Sequence, residues 1–226
     1  MDLPDCDELF LRYFGPWLNE QDRKRRVYCA TRPDVEHLSC QGELEASDLS
    51  PLTPESQTVA AQQIQEMFAA AAEDWKRLLS VEGTPSLDWL REFDRYFQRR
   101  QIQETINRSD PHQYDNDYLV LCCELGSVLG VVLQALEPRL SWLYDWPYWE
   151  SALFDRHTRS RVNVFHWAVK KMSEYGVEDG LIDKLDACRS VFQGRNEQLL
   201  VTKASRPPDR WCQQIGGAWG SGGRSV

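Results

Sequence analysis

The segment from Tyr118 to Leu136 constrains the fold more than any other part of the chain. From Leu119 onward it is apolar, interrupted chiefly by Glu124 and Gln134. A helix of that composition is apolar nearly all round and must be enclosed by other elements. Gly126 and Gly130 stand four residues apart and therefore share one helical face. Each glycine inside a helix costs about 1 kcal/mol against alanine, so a close backbone approach by a neighbouring helix or sheet is the expected offset. The segment approaches the roughly 18 residues that cross a bilayer. Against a span stand Glu124, which would cost at least ~2–3 kcal/mol in hydrocarbon, and the lack of a Lys/Arg cluster at either end. A buried core helix is the expectation, and a membrane is not an expected partner.

Directly after it, Trp142 to Trp149 places five aromatics in eight residues. Leu140, Trp142, Tyr144, Trp146 and Tyr148 alternate with other side chains, which reads as a strand that Pro147 must break or push to an edge. Ser151 to Phe154 reads as a second strand, 155–160 as a polar turn, and Arg161 to Phe165 as a third strand or helix entry. Upstream, Thr53 and Pro54 suit the N-cap and first turn of a long helix. Its apolar face is Ile64, Met67, Phe68, Ala71, Trp75 and Leu78. Ser86 opens a second helix with Leu87, Leu90, Phe93 and Phe97 on one side, and 107–116 reads as a loop. Further helices are expected from Phe165 to Glu174 and from Glu178 to about Phe192. The expected fold is α+β: a mostly helical single domain with a small antiparallel hairpin or three-stranded sheet. Residues 53–203 form its core, 1–52 an irregular extension packed partly on that core, and 204–226 a Gly/Ser/Pro-rich disordered tail.

Charge and cysteine usage narrow the partners. The net charge of −9 over 226 residues is spread along the chain, with no dense basic field for phosphate backbones or anionic lipid. Nucleic acid is therefore not an expected partner. Seven cysteines without a regular framework, behind an acidic start that lacks a basic n-region, point to free thiols in a reducing cytosol.

LGSVLGVVL (125–133), the Trp-rich hairpin and VNVFHWAVKKM (162–172) follow one another in an informative order. Over about 117–175 the chain resembles a loose group of uncharacterised bacterial α+β domains. These have an LGxxLGxxL helix, a short Trp hairpin and a PFxxVxKR-like segment opening the next helix. Val164 stands where the group usually has Pro, and Lys171 where it often has Arg. Some proteins of that layout are immunity partners of toxins. The resemblance implies a fold and an immunity-like role, and no catalytic residue.

Catalytic signals are thin. No GxSxG, HExxH, P-loop or GxGxxG is present. Cys29, His37 and Cys40 have a metal-like look, but zinc wants four ligands in two tight pairs and the chain has no CxxC. No metal and no cofactor are expected. Adjacent Cys122 and Cys123 read as small buried hydrophobes. Glu124 is the polar oddity: a carboxylate in an apolar helix must be paired or shifted in pKa. A salt bridge to a basic residue such as Arg161 or Lys170, or exposure on a narrow solvent stripe, is the favoured account. An enzyme centred on Glu124, with Asp145 and His166 nearby, is the alternative. The aromatic run reads first as a hairpin packed onto the helices, with a sugar-stacking platform as the alternative. Where rings stay exposed, Trp142, Tyr144, Trp146 and Trp149 are the candidate binding residues for a protein partner, since Trp and Tyr concentrate at interface hot spots. The expected function is that of a non-enzymatic cytosolic interaction protein with a protein partner, for which the acidic balance favours a basic one. Oligomeric state is not readable from the sequence.

Overall fold

The structure is a computed structural model, and it describes residues 3–18, 52–156, 161–177 and 180–192, with side chains in the last helix to Arg189. Among these are seven helices: α1 Cys6–Tyr13, α2 Pro54–Leu78, α3 Leu87–Tyr96, α4 Arg99–Arg108, α5 Asp117–Leu136, α6 Val164–Lys171 and α7 Leu181–Phe192. Strands β1 Leu140–Leu143, β2 Ala152–Asp155 and β3 Arg161–Val162 form an antiparallel sheet in the order β1-β2-β3. The fold is α+β and mostly helical.

Local chemistry sets the helix starts. Thr53 Oγ1 accepts the Ser56 N–H at 3.3 Å with Pro54 in the first turn, and Asn116 Oδ1 accepts the Leu119 N–H at 3.0 Å to open α5. α5 is the centre of the core. Leu125, Val128, Leu129 and Leu133 are fully buried, and α2, α4, α6, β1 and β2 all pack against it. It is long and apolar enough to cross a membrane, yet 67% of that stretch is buried inside the fold. Enclosure by protein satisfies the same apolar surface that a bilayer would.

The two glycines do what their spacing implies. A Cβ on Gly126 would lie 2.3 Å from Phe165 Cδ1 and 2.9 Å from Phe165 Cα, so α6 crosses there against bare backbone. A Cβ on Gly130 would lie 2.3 Å from Trp142 Cζ2, so β1 lays its indole across the next turn.

α1 carries the N-terminal segment into this core. Leu9, Phe10, Tyr13 and Phe14 are buried, and Tyr13 donates its hydroxyl to the Ile106 carbonyl at 2.9 Å. Glu174 ties the segment down: it accepts the Leu3 N–H at 2.9 Å and pairs with the Arg99 guanidinium. A second staple joins α3, α6 and α7. Buried Lys171 lies 2.9 Å from Asp94 Oδ1 and donates to the Gly176 carbonyl at 3.0 Å, while Asp94 Oδ2 accepts the Leu181 N–H at 2.8 Å. A buried ammonium is tolerated only with such partners.

Four boundaries differ from the sequence reading. The helix opened by Ser86 stops at Tyr96 and restarts at Arg99, because Phe97 leaves helical geometry (φ −83°, ψ 73°) to bury its ring on Phe93. The aromatic alternation is a strand only to Leu143. Beyond it the Asp145 N–H turns to Ser151 Oγ at 3.0 Å, and Pro147 precedes a 3-10 turn at Tyr148–Glu150. α6 ends at Lys171, before the turn Glu174–Gly176, and α7 begins at Leu181. Cys29, His37, Cys40, most of the polar turn after Asp155 and the 204–226 tail lie outside the described residues.

Candidate functional site

Glu124 sits on the α2 side of α5. Two helical positions separate it from Gly126, about 200° of rotation, so it faces away from α6. It is 5% exposed, and its Oε2 accepts the Trp75 indole N–H at 2.9 Å across the α2–α5 contact. The expected salt bridge does not form among the described residues. Arg161 donates to Asn163 at 2.7 Å, Lys170 lies over the Tyr175 ring, and no cation pairs with Glu124 among the described residues. Burial therefore pushes the carboxyl up to about 7, against the lowering effect of the indole hydrogen bond and with a further upward push from Asp74. The buried Tyr148 lies close on the third side, its hydroxyl beside Cys123. Burial pushes the Cys123 thiol up to about 12, and Cys122 is raised well above its usual range for the same reason. Both are buried thiols held in the neutral form, which is the unreactive one.

Asp145 and His166 do not join Glu124. Asp145 is buried at the end of the hairpin, where its own Oδ1 accepts the Trp146 N–H at 2.8 Å and its carbonyl accepts from the Ser151 hydroxyl. His166, on α6, packs edge-on against Phe10 and holds its Nε2 3.7 Å from Glu150 Oε2. The three candidates thus stand in three separate settings. No group of three or more His, Cys, Asp or Glu side chains that could hold a metal occurs among the described residues.

The aromatic run divides by depth. Trp149 is 2% exposed and packs edge-on against Phe14, and Tyr148 is buried against Phe165. Trp142 and Tyr144 are half-buried and stacked, with centroids 6.3 Å apart and planes 13° from parallel. Trp146 is 38% exposed. Trp142 roots a short ridge on Phe165 and Gly130, Tyr144 stacks on it, and Trp146, two residues further along, is the exposed end of the run. β1 is an edge strand, and the Gln134 amide donates to the Leu140 carbonyl at 3.1 Å, so part of the edge is already capped.

Comparisons with protein-family models, with curated proteins and with solved structures gave no match.

Trp75 is the partner that sequence reasoning missed. It stood on the apolar face of α2 as a core residue, yet a buried indole needs an acceptor. The one acidic side chain in the apolar stretch from Leu119 to Leu136 was the available signal.

Proposed function

We propose that this protein is a non-enzymatic, cytosolic interaction protein that binds a basic protein partner through the Trp142–Tyr144–Trp146 ridge, in the way an immunity protein captures its toxin. The observation that carries this reading is the graded burial of the run. Trp142 and Tyr144 are fixed by stacking and by the core, while Trp146 stands 38% exposed at the tip. An anchored aromatic loses little conformational freedom on binding and still presents a large apolar face, which is the make-up of an interface hot spot. The net charge of −9 favours a basic partner by steering the encounter. The resemblance over 117–175 supports an immunity-like role and a bacterial setting. Among the described residues the acid beside Glu124, Asp74, is paired with Arg77, and the adjacent thiol is held neutral, which supports a structural role for Glu124 over a catalytic one.

The test is a pull-down from the native host followed by binding kinetics on the captured partner. Association should slow as salt rises, since exposed charges are screened over ~8–10 Å at physiological ionic strength. Trp146→Ala should raise the off-rate by at least about tenfold. Turnover in a broad hydrolase screen that disappears in Glu124→Gln, with the fold intact, would replace this reading with the enzyme.

A further inference from the structure

We propose that Glu124 and Trp75 form a proton-operated latch between α2 and α5: the protonated carboxyl keeps the last turns of α2 closed on α5, and loss of the proton to solvent loosens them. This stands independently of whether the hairpin binds a partner.

The geometry sets up the latch. Glu124 is 5% exposed in the helix at the centre of the core, and among the described residues the one hydrogen bond it accepts comes from an uncharged donor, the Trp75 indole at 2.9 Å. Trp75 belongs to the final turn of α2, which ends at Leu78. The groups facing Glu124 all disfavour a second negative charge or leave it uncompensated. Asp74 on α2 is an acid, Cys123 on α5 is a thiol held neutral, and Tyr148 from the turn at Tyr148–Glu150 is a neutral phenol. The cations on the same turn of α2 are engaged outward: Lys76 bonds Glu73 at 3.2 Å and Arg77 bonds Asp74 at 2.6 Å. Once the carboxyl ionises, the indole N–H is the one described donor that stabilises it, too little to replace full hydration, and the charge gains water when the end of α2 moves off α5. The last turns of α2 are core, with Ala71 and Trp75 fully buried, so the opening is a minor population whose share rises as Glu124 loses its proton. α2 also packs against the turn Tyr148–Glu150, so the loosening reaches the base of the aromatic run. Burial holds the titration of Glu124 about 7, inside the range a cell samples.

Hydrogen exchange read by mass spectrometry on the full chain tests this. Protection of the amides in 71–79, corrected for the intrinsic pH dependence of exchange, should fall by about tenfold between about pH 6 and pH 8, while amides in 164–171 hold constant. Glu124→Gln, which keeps an acceptor for the indole, should remove the pH dependence and leave 71–79 protected at both ends. Asp74→Asn removes the acid that pushes the titration upward, so its midpoint should move to lower pH. Asp74 is 55% exposed and paired with Arg77, so its replacement leaves the core untouched and the shift is small; its direction is the readout if Glu124→Gln fails to fold. Protection in 71–79 that is flat across the range overturns the latch. So does a transition that persists in Glu124→Gln, or one whose midpoint moves to higher pH in Asp74→Asn.

Discussion

On one side of α5, Gly126 and Gly130 receive Phe165 and Trp142 against bare backbone; on the other, Glu124 holds Trp75 by a single hydrogen bond. One helix therefore carries two kinds of seam. The first is steric: it depends on two missing Cβ atoms and has no titrating group in it. The second is polar: it depends on which proton state a buried carboxyl adopts. Close packing makes the first rigid at any pH, since interiors tolerate neither added volume nor voids. Desolvation makes the second conditional. The comparison explains how a helix apolar all round can be fixed in rotation. Hydrophobic contact alone is non-directional, whereas a pair of notches on one face and one acceptor on the other define a single orientation.

The largest effect should come from filling a notch. Gly126→Leu must displace the Phe165 backbone as well as its ring, because the added Cβ already falls 2.9 Å from Phe165 Cα. Overpacking of this kind costs ~1–3 kcal/mol or more, and the backbone clash puts Gly126 at the upper end despite the ~1 kcal/mol helix-propensity gain. Denaturant melts should show the loss equally at pH 5 and pH 8. A melt unchanged from the parent would remove the steric seam from the account.

Next is the polar seam, and its sign is opposite. The folded state holds the Glu124 carboxyl about 7, above its ordinary 4.5. The folded chain therefore keeps a proton that the unfolded chain releases. Stability contributed by this group is whole below the unfolded value, declines as pH rises through that window, and stays low above about 7. At 1.36 kcal/mol for each unit, the loss by pH 8 has an upper bound of roughly 3 kcal/mol. Glu124→Gln should accordingly be more stable than the parent at pH 8 and about equal to it near pH 4. The difference between the two melts, taken at matched pH, isolates this group from every other acid. A variant less stable than the parent at pH 8 would mean that the carboxylate, and not the carboxyl, is the favoured form.

These two seams were unequally legible in the sequence. Gly126 and Gly130 announce a notched face through spacing alone, and Thr53-Pro54 announces a helix start, because both depend on neighbours within a few residues. Glu124 announced a problem without its solution: Trp75 is 49 positions away, and nothing local favours an indole over Arg161 or Lys170 as its partner. The break between α3 and α4 was hidden for the same reason. The pattern from Leu87 to Ile106 is helical throughout, and burial of Phe97 on Phe93 decides where it stops. In the aromatic run the period of two was visible, but the depth of each ring was not. Trp149 and Trp146 look alike in sequence, and tertiary packing makes one core and the other surface.

A milder test separates the two notches from each other. At Gly130 the obstruction is the Trp142 ring and no backbone atom, and Trp142 is half-buried and able to shift outward. Gly130→Ala should cost about 1 kcal/mol, less than Gly126→Ala, because a displaced side chain costs less than a displaced backbone. Its mark should be spectroscopic: Trp142 fluorescence should shift towards that of a solvated indole, while the α6 amides keep their protection. Equal destabilisation by the two alanines would show that β1 is seated as rigidly as α6.

The smallest effect on the fold should come from the tip of the ridge. Trp146 is 38% exposed and its backbone N–H is bonded to Asp145 Oδ1 at 2.8 Å, an interaction that survives side-chain truncation. Trp146→Ala should therefore change stability by only about 0.5–1 kcal/mol, the range of a partly exposed site away from the close-packed core. Trp142→Ala is the informative contrast, since it empties the Gly130 notch and costs about 3 kcal/mol or more if that indole is core material. If the ridge is a binding surface, the ranking reverses in the kinetics. Trp146→Ala should then raise the partner's off-rate by at least about tenfold, a change of about 1.4 kcal/mol, at nearly unchanged fold stability. An indole that matters equally little to folding and to binding would leave the exposed tip unexplained and would confine the ridge to the core. One that matters more to the partner than to the fold would mark Trp146 as the point where a run that starts in the steric seam at Trp142 becomes a surface for another molecule.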